Sequence, residues 1–383
     1  GVSSAASDVY KRQSDDWQIA NRKAAEFWTL SVEVIDDTKS ALRALEAFYH
    51  YVELEEYQLA CDVILKERKP NLSYLGSAEN LSASFGRLGL INHITHAINL
   101  IGEKINDEYS LTLIYGDLGG LYHRAGDIQK AIHFYEKSRE IGIKFQQKMG
   151  EIYSSEKQRI EIEKRLTGML FNISSGKVLL GEYEEAIETY KQAIALAENT
   201  PFQMYAVYSW YGLAYLYSLK ESEPDKQQGL VYLEKAEKAY NEIPECNRAN
   251  WSHLLSYLGR GMVYINLGEN EKALPILEQA IKYAEESKSG QQIGQTLNYL
   301  AIIYRRQGKF EKAIETHLKA LEVLRQIVAI NDIGEIYYEL GVTYKTMGEI
   351  QKSNTNFAEA IRVFEQIQAP IKVAKARRQM ENR

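Results

Sequence analysis

Three segments near the end of the chain are copies of one another, centred on Gly268, Gly308 and Gly348 and therefore spaced by forty residues. They read Leu267-Gly268-Glu269-Asn270-Glu271-Lys272-Ala273, Gln307-Gly308-Lys309-Phe310-Glu311-Lys312-Ala313 and Met347-Gly348-Glu349-Ile350-Gln351-Lys352-Ser353. A fixed period in this range marks a solenoid, whose units bury their apolar faces only against their neighbours. Seven residues before each glycine stands a small residue (Gly261, Ala301, Gly341), and four before it a tyrosine (Tyr264, Tyr304, Tyr344). Ala273, Ala313 or Ser353 follows, then Ala280, Ala320 or Ala360. This spacing predicts two antiparallel amphipathic helices per unit, with the small residues at the helix crossings. The glycine ends the first helix where a positive φ is needed.

The pattern resembles the tetratricopeptide repeat, and the resemblance implies an all-α fold, an α-α superhelix of about eight helix-turn-helix repeats. The same frame recurs at Gly119, Tyr122, Gly126, Ala131 and Tyr135, and at Ser174, Gly181, Tyr183, Ala186 and Tyr190, where Lys177 replaces the usual aromatic residue. It fits Gly212, Tyr215, Leu233 and Ala236 if Glu221–Asp225 is an inserted turn, and degenerate copies run through Phe48–Ala60 and Phe85–Ile101. Residues 1–13 lack the period and read as a non-native leader, 14–40 as an N-terminal capping helix, 41–367 as the superhelix and 368–383 as a capping helix or tail. The tail's Lys372, Lys375, Arg377, Arg378 and Arg383 read as a solvated face. Gly126 and Gly181 lie 55 residues apart, so extended helices near 145–165, bearing Glu151, Glu156 and Lys164, are expected to project as a docking spur.

Composition narrows the function. A net charge of −6 disfavours nucleic acid, which needs a basic stripe to displace counterions. Cys61 and Cys246 stand far apart in a chain without a long apolar run, which fits free thiols in a cytoplasmic protein that no membrane holds. Gly176-Lys177 is the nearest approach to a phosphate-binding loop, but Phe171 and Val178 stand where a glycine and a hydroxyl belong. His93 and His96 share a helix face without a third ligand. No catalytic residue, cofactor site or metal site is predicted, and the chain is expected not to be an enzyme.

In the tetratricopeptide family the first helix of each unit lines the concave groove. By that resemblance the groove is apolar at Phe171, Leu213, Leu255, Leu258 and Met262, and polar at Asn298, Arg305, Tyr338 and Lys345. Two readings stay open: the first helices touch across the axis and these residues are core, or they form a trough for an apolar segment. The expected partner is a protein or peptide, and the expected role is a scaffold or ligand sensor. The opening stretch from Ala25 to Tyr57 resembles the repeat arrays of bacterial signal-transduction ATPases of the NB-ARC type, which implies an upstream ATPase domain as a further partner. The alternative is a free-standing peptide-responsive regulator resembling the Rap group, although only about thirty usable residues precede the first repeat where that group carries a helical bundle.

Overall fold

The computed structural model describes residues 14–68, 79–149, 155–244, 250–286, 289–327 and 329–381. The leader, Cys246, Glu151 and Arg383 lie outside them. Among the described residues there are eighteen helices and no strand: α1 (Asp15–Ser31), α2 (Thr38–Glu53), α3 (Tyr57–Leu65), α4 (Leu81–Arg87), α5 (Ile91–Ile101), α6 (Glu108–Ala125), α7 (Ile128–Met149), α8 (Glu156–Leu180), α9 (Tyr183–Ala197), α10 (Gln203–Ser218), α11 (Glu223–Glu242), α12 (Asn250–Asn266), α13 (Asn270–Glu286), α14 (Gly290–Arg306), α15 (Phe310–Gln326), α16 (Ile330–Thr346), α17 (Ile350–Gln366) and α18 (Pro370–Glu381). From α2 to α17 they pair in sequence into eight hairpins, and α18 packs on α17. None of these helices is long and apolar enough to cross a membrane.

The chain divides into two compact units, one from residues 1–121 and 137–162, the other from 122–136 and 163–383. In the first unit, Cys61 is fully buried and burial pushes its thiol up to about 12, which makes it an apolar packing group rather than a nucleophile. The buried Arg68 guanidinium donates to the carbonyls of Val32, Val63 and Lys66. Phe145 packs at a tilt against Tyr109, with ring centres 5.8 Å apart, and Lys148 bonds Glu108 at 2.6 Å. The end of α7 thus packs on the start of α6 instead of projecting freely.

In the second unit, the forty-residue period arises because α12 to α17 are each seventeen residues long and both links in each repeat take three. Gly268, Gly308 and Gly348 adopt φ of 81°, 74° and 81°. Their reversal lets the next residue donate to the carbonyl of the repeat tyrosine: Glu269 to Tyr264 at 2.8 Å, Lys309 to Tyr304 and Glu349 to Tyr344 at 2.9 Å. Lys272, Lys312 and Lys352 then lie over those same tyrosine rings, which ties the start of the second helix to the end of the first.

The last three hairpins are each closed at two crossings where volume is conserved. A Cβ on Gly261 would lie 2.5 Å from Leu277, and one on Gly341 2.7 Å from Phe357. At the second crossing Leu254 clusters with Ala284, whereas Gly294 faces Leu324 and Gly334 faces Phe364. Ser353 replaces the repeat alanine and donates to the Gly341 carbonyl at 2.9 Å. The same frame puts Asn298 and His317 where the flanking repeats hold Leu258 with Leu277 and Tyr338 with Phe357. His317 is fully buried, and neither ring nitrogen has a hydrogen-bond partner among the described residues. Burial, and secondarily the charge of Arg305, lowers its pKa to about 3.

Ala313 is fully enclosed at its crossing, so Ala313→Leu should cost about 1–3 kcal/mol by overpacking, read as a lower urea midpoint. His317 makes stability depend on pH. Below its ordinary pKa the unfolded chain takes up a proton that the folded chain refuses, so its contribution is intact above that value and is lost as pH falls towards 3. Between pH 8 and pH 5 the loss should reach about 2 kcal/mol, and His317→Leu should remove that part of the slope in urea titrations across this range.

Candidate binding cavity

The first helices of five successive hairpins converge in the second unit on one cavity of about 380 Å³. Phe171, Asn172, Ser175, Val178 and Leu179 come from α8, and Tyr208, Tyr211, Gly212 and Tyr215 from α10. Leu255, Leu258, Gly259 and Met262 come from α12, Gln291, Gln292 and Gln295 from α14, and Asn331 and Asp332 from α16. The turn at Gly126 completes the wall: its Cβ would sit 3.3 Å from Ile330, and one on Gly181 would sit 2.9 Å from Ile371. The turns of the third and fourth hairpins therefore rest on the eighth hairpin and α18, and this unit closes on itself.

One wall is aromatic. The Phe171 ring centre lies 5.7 Å from that of Tyr208 and 6.1 Å from that of Tyr190. Burial pushes the Tyr190 and Tyr211 hydroxyls up to about 12, although Ser175 and Ser256 bond them. Gly212 lets the helix approach Tyr190, since a Cβ there would stand 2.4 Å from the ring. The opposite end is polar: Asp332 accepts from the Nε2 atoms of Gln291 and Gln295, each at 3.0 Å. Burial raises the Asp332 carboxyl above the ordinary range, against the two glutamine bonds.

Beyond this end the interior is filled by charge pairs. Arg305 Nη1 bonds Glu339 at 2.6 Å, and Lys372 Nζ bonds Glu335 at 2.6 Å and Asn331 at 2.9 Å. Burial pushes the Glu335 carboxyl up, but Lys372 and Lys375 outweigh it and hold the carboxyl below its usual value. Burial first, then neighbouring tyrosines and these glutamates, raise the Tyr215 and Tyr299 hydroxyls.

Of the nine groove residues read from the sequence, Phe171, Leu255, Leu258 and Met262 line the cavity together. Leu213 does not: it is fully buried in the core formed with α9 and α11. Asn298 and Tyr338 are buried within their own hairpins, Arg305 is engaged by Glu339, and Lys345 donates to the Gln379 carbonyl at 2.7 Å. Lys372 of the tail is likewise turned inward, its side chain 12 % exposed, rather than solvated. The sequence frame slips by two residues in α10, where no turn glycine anchors it. The small residue at that crossing is Ala214, packed against Gly229, and Tyr208, Tyr211 and Tyr215 face the cavity in place of Leu213. Asp332 and Gln291 were missed because they stand one helical turn ahead of the counted positions. Among the described residues no cluster of three or more His, Cys, Asp or Glu could hold a metal ion, and His93 and His96 are exposed.

Tetratricopeptide-repeat family models match residues 252–326 and 292–366, and a second such model matches 113–141 and 168–200. The chain carries tetratricopeptide repeats. A Rap protein solved in complex with competence and sporulation factor is similar at 14 % identity and a TM-score of 0.56, over 94 % of this chain and 96 % of that one. Aspartyl phosphate phosphatase F from Bacillus subtilis matches at 14 % identity and 0.40 over 77 % and 76 %. A signal-transduction ATPase with a tetratricopeptide-repeat sensor from Pyrococcus horikoshii matches at 14 % and 0.42, over 98 % of this chain and 54 % of its own. The chain thus spans about half of that ATPase. No curated protein sequence matches it.

Removing the cation from the interior should be costly. Lys372→Ala leaves the Glu335 carboxylate without its partner, and a loss of about 1–3 kcal/mol is expected in urea denaturation. Glu335→Gln in the same chain should recover part of it.

Proposed function

We propose that this chain is a non-catalytic binding scaffold that takes a peptide or an extended protein segment into the cavity of the second unit. The observation that carries the reading is the convergence of five first helices on one hollow, apolar along Phe171, Leu255, Leu258 and Met262 and polar at Gln291, Gln295 and Asp332. An apolar hollow with a few convergent polar groups is the usual form of a ligand site, and its volume lies in the range of such sites. The Rap protein of similar fold was solved with competence and sporulation factor, which supports a ligand of this class. A free-standing, peptide-responsive regulator is one setting for such a scaffold, supported by the coverage of 94 % of this chain and 96 % of that one. A sensor array joined to an ATPase is the second setting, and a Walker motif encoded upstream in the same frame would decide for it.

Anchors that lose water on binding dominate such interfaces, so Met262→Asp should weaken a captured partner by about 2 kcal/mol or more, roughly thirty-fold. Titration calorimetry on a partner isolated by pull-down measures this. Crosslinks that map the partner to the outer second helices, with affinity unchanged in Met262→Asp, would overturn the reading.

A further inference from the structure

Asp332 is the only acidic side chain among the described residues lining the cavity, and it is 9 % exposed. Both bonds given to its oxygens come from neutral amides, Gln291 Nε2 and Gln295 Nε2 at 3.0 Å each, which leaves each oxygen a further acceptor direction. The nearby cation is committed elsewhere: Lys372 Nζ is bonded to Glu335 and Asn331. A buried carboxylate with no cation bonded to it is unfavourable, and burial pushes its protonation upward against the two glutamine bonds and the more distant charge of Lys372. The other titratable groups around the cavity do not supply the missing charge. Burial, and then Arg124, lowers His123 to about 4, so that it is neutral at pH 7, while Arg124 is exposed at the rim.

Resting on the binding role proposed above, we propose that the cavity selects ligands bearing a cationic nitrogen, seated on Asp332, next to an aromatic or aliphatic group that packs on Phe171, Leu258 and Met262. The nitrogen is either the free amino terminus of a short peptide or a lysine or arginine side chain within it. An ammonium or guanidinium hydrogen-bonded to a carboxylate shielded from water gives a stronger bond than a neutral donor at the same place. The two glutamines hold the carboxylate towards the hollow, so the receiving geometry exists before the ligand arrives.

The experiment uses the full chain and three pentapeptide pools matched in apolar content. One has free amino termini and no Lys or Arg, one is acetylated with one Lys or Arg, and one is acetylated without either. Binding of each pool is read by fluorescence anisotropy. One cationic pool should bind about tenfold or more tighter than the neutral pool, and which one does so identifies the source of the nitrogen. Asp332→Asn should bring that preference to within about twofold. Gln295→Lys, which supplies an internal cation beside Asp332, should abolish it as well. Equal binding of all pools by the parent chain, or a preference that survives in folded Asp332→Asn, overturns this inference and leaves the binding role standing. Binding of no pool by the parent overturns both. Should either variant fail to melt as a folded protein, the parent's discrimination between pools still decides the matter.

Discussion

Close approach of two helices within each hairpin is the constraint on which the second unit depends. In the last three hairpins the crossings pair a small residue with a large one, and which helix carries which changes along the chain: Leu254 with Ala284, then Gly294 with Leu324 and Gly334 with Phe364. Total volume is conserved while identity is free, as close packing requires. Seventeen-residue helices joined by three-residue links recur from α12 to α17, so these hairpins stack in a regular way. A repeat with a looser crossing would tilt its first helix away from the shared axis, and the hollow would lose its wall.

That regularity brings the turns at Gly126 and Gly181 onto Ile330, Ile367 and Ile371. Once the unit closes in this way, its interior has to be filled, and the chain fills it unevenly. Towards α18 it uses charge pairs, Arg305 with Glu339 and Lys372 with Glu335, whose mutual attraction offsets the loss of water. Towards α8 and α10 it uses tyrosine and phenylalanine rings, whose flat shapes leave space between them. The cavity lies between these two fillings, with Asp332 at the border.

The polar core pair of the seventh hairpin stands apart from both. Asn298 and His317 occupy positions that are Leu258 and Leu277, or Tyr338 and Phe357, in the flanking repeats, yet Asn298 Oδ1 and both His317 ring nitrogens find no hydrogen-bond partner among the described residues. Such a pair weakens a unit that its neighbours support from both sides, since repeat stability is shared through interfaces. It places an acid-sensitive core in the same hairpin whose first helix carries Gln291 and Gln295, the residues that orient Asp332.

The forty-residue period, the turn glycines and the alanines at the crossings were legible from residue spacing alone, because helix geometry converts spacing directly into faces. So were Phe171, Leu255, Leu258 and Met262, which sit in repeats whose frame a turn glycine anchors. In α10, without such a glycine, the frame slipped by two residues, and Leu213 was taken for a groove residue while Tyr208, Tyr211 and Tyr215 were passed over. Spacing also could not foretell that Lys372 and Lys345 turn away from solvent, or that Asp332 stands at the cavity. Those outcomes depend on contacts between residues 34 positions apart, as Lys345 with Gln379, to 204 apart, as Gly126 with Ile330, and on how far the unit winds before it meets itself. Local sequence determines each hairpin; closure of the stack determines which of its faces is core, which is charged lining and which borders empty space.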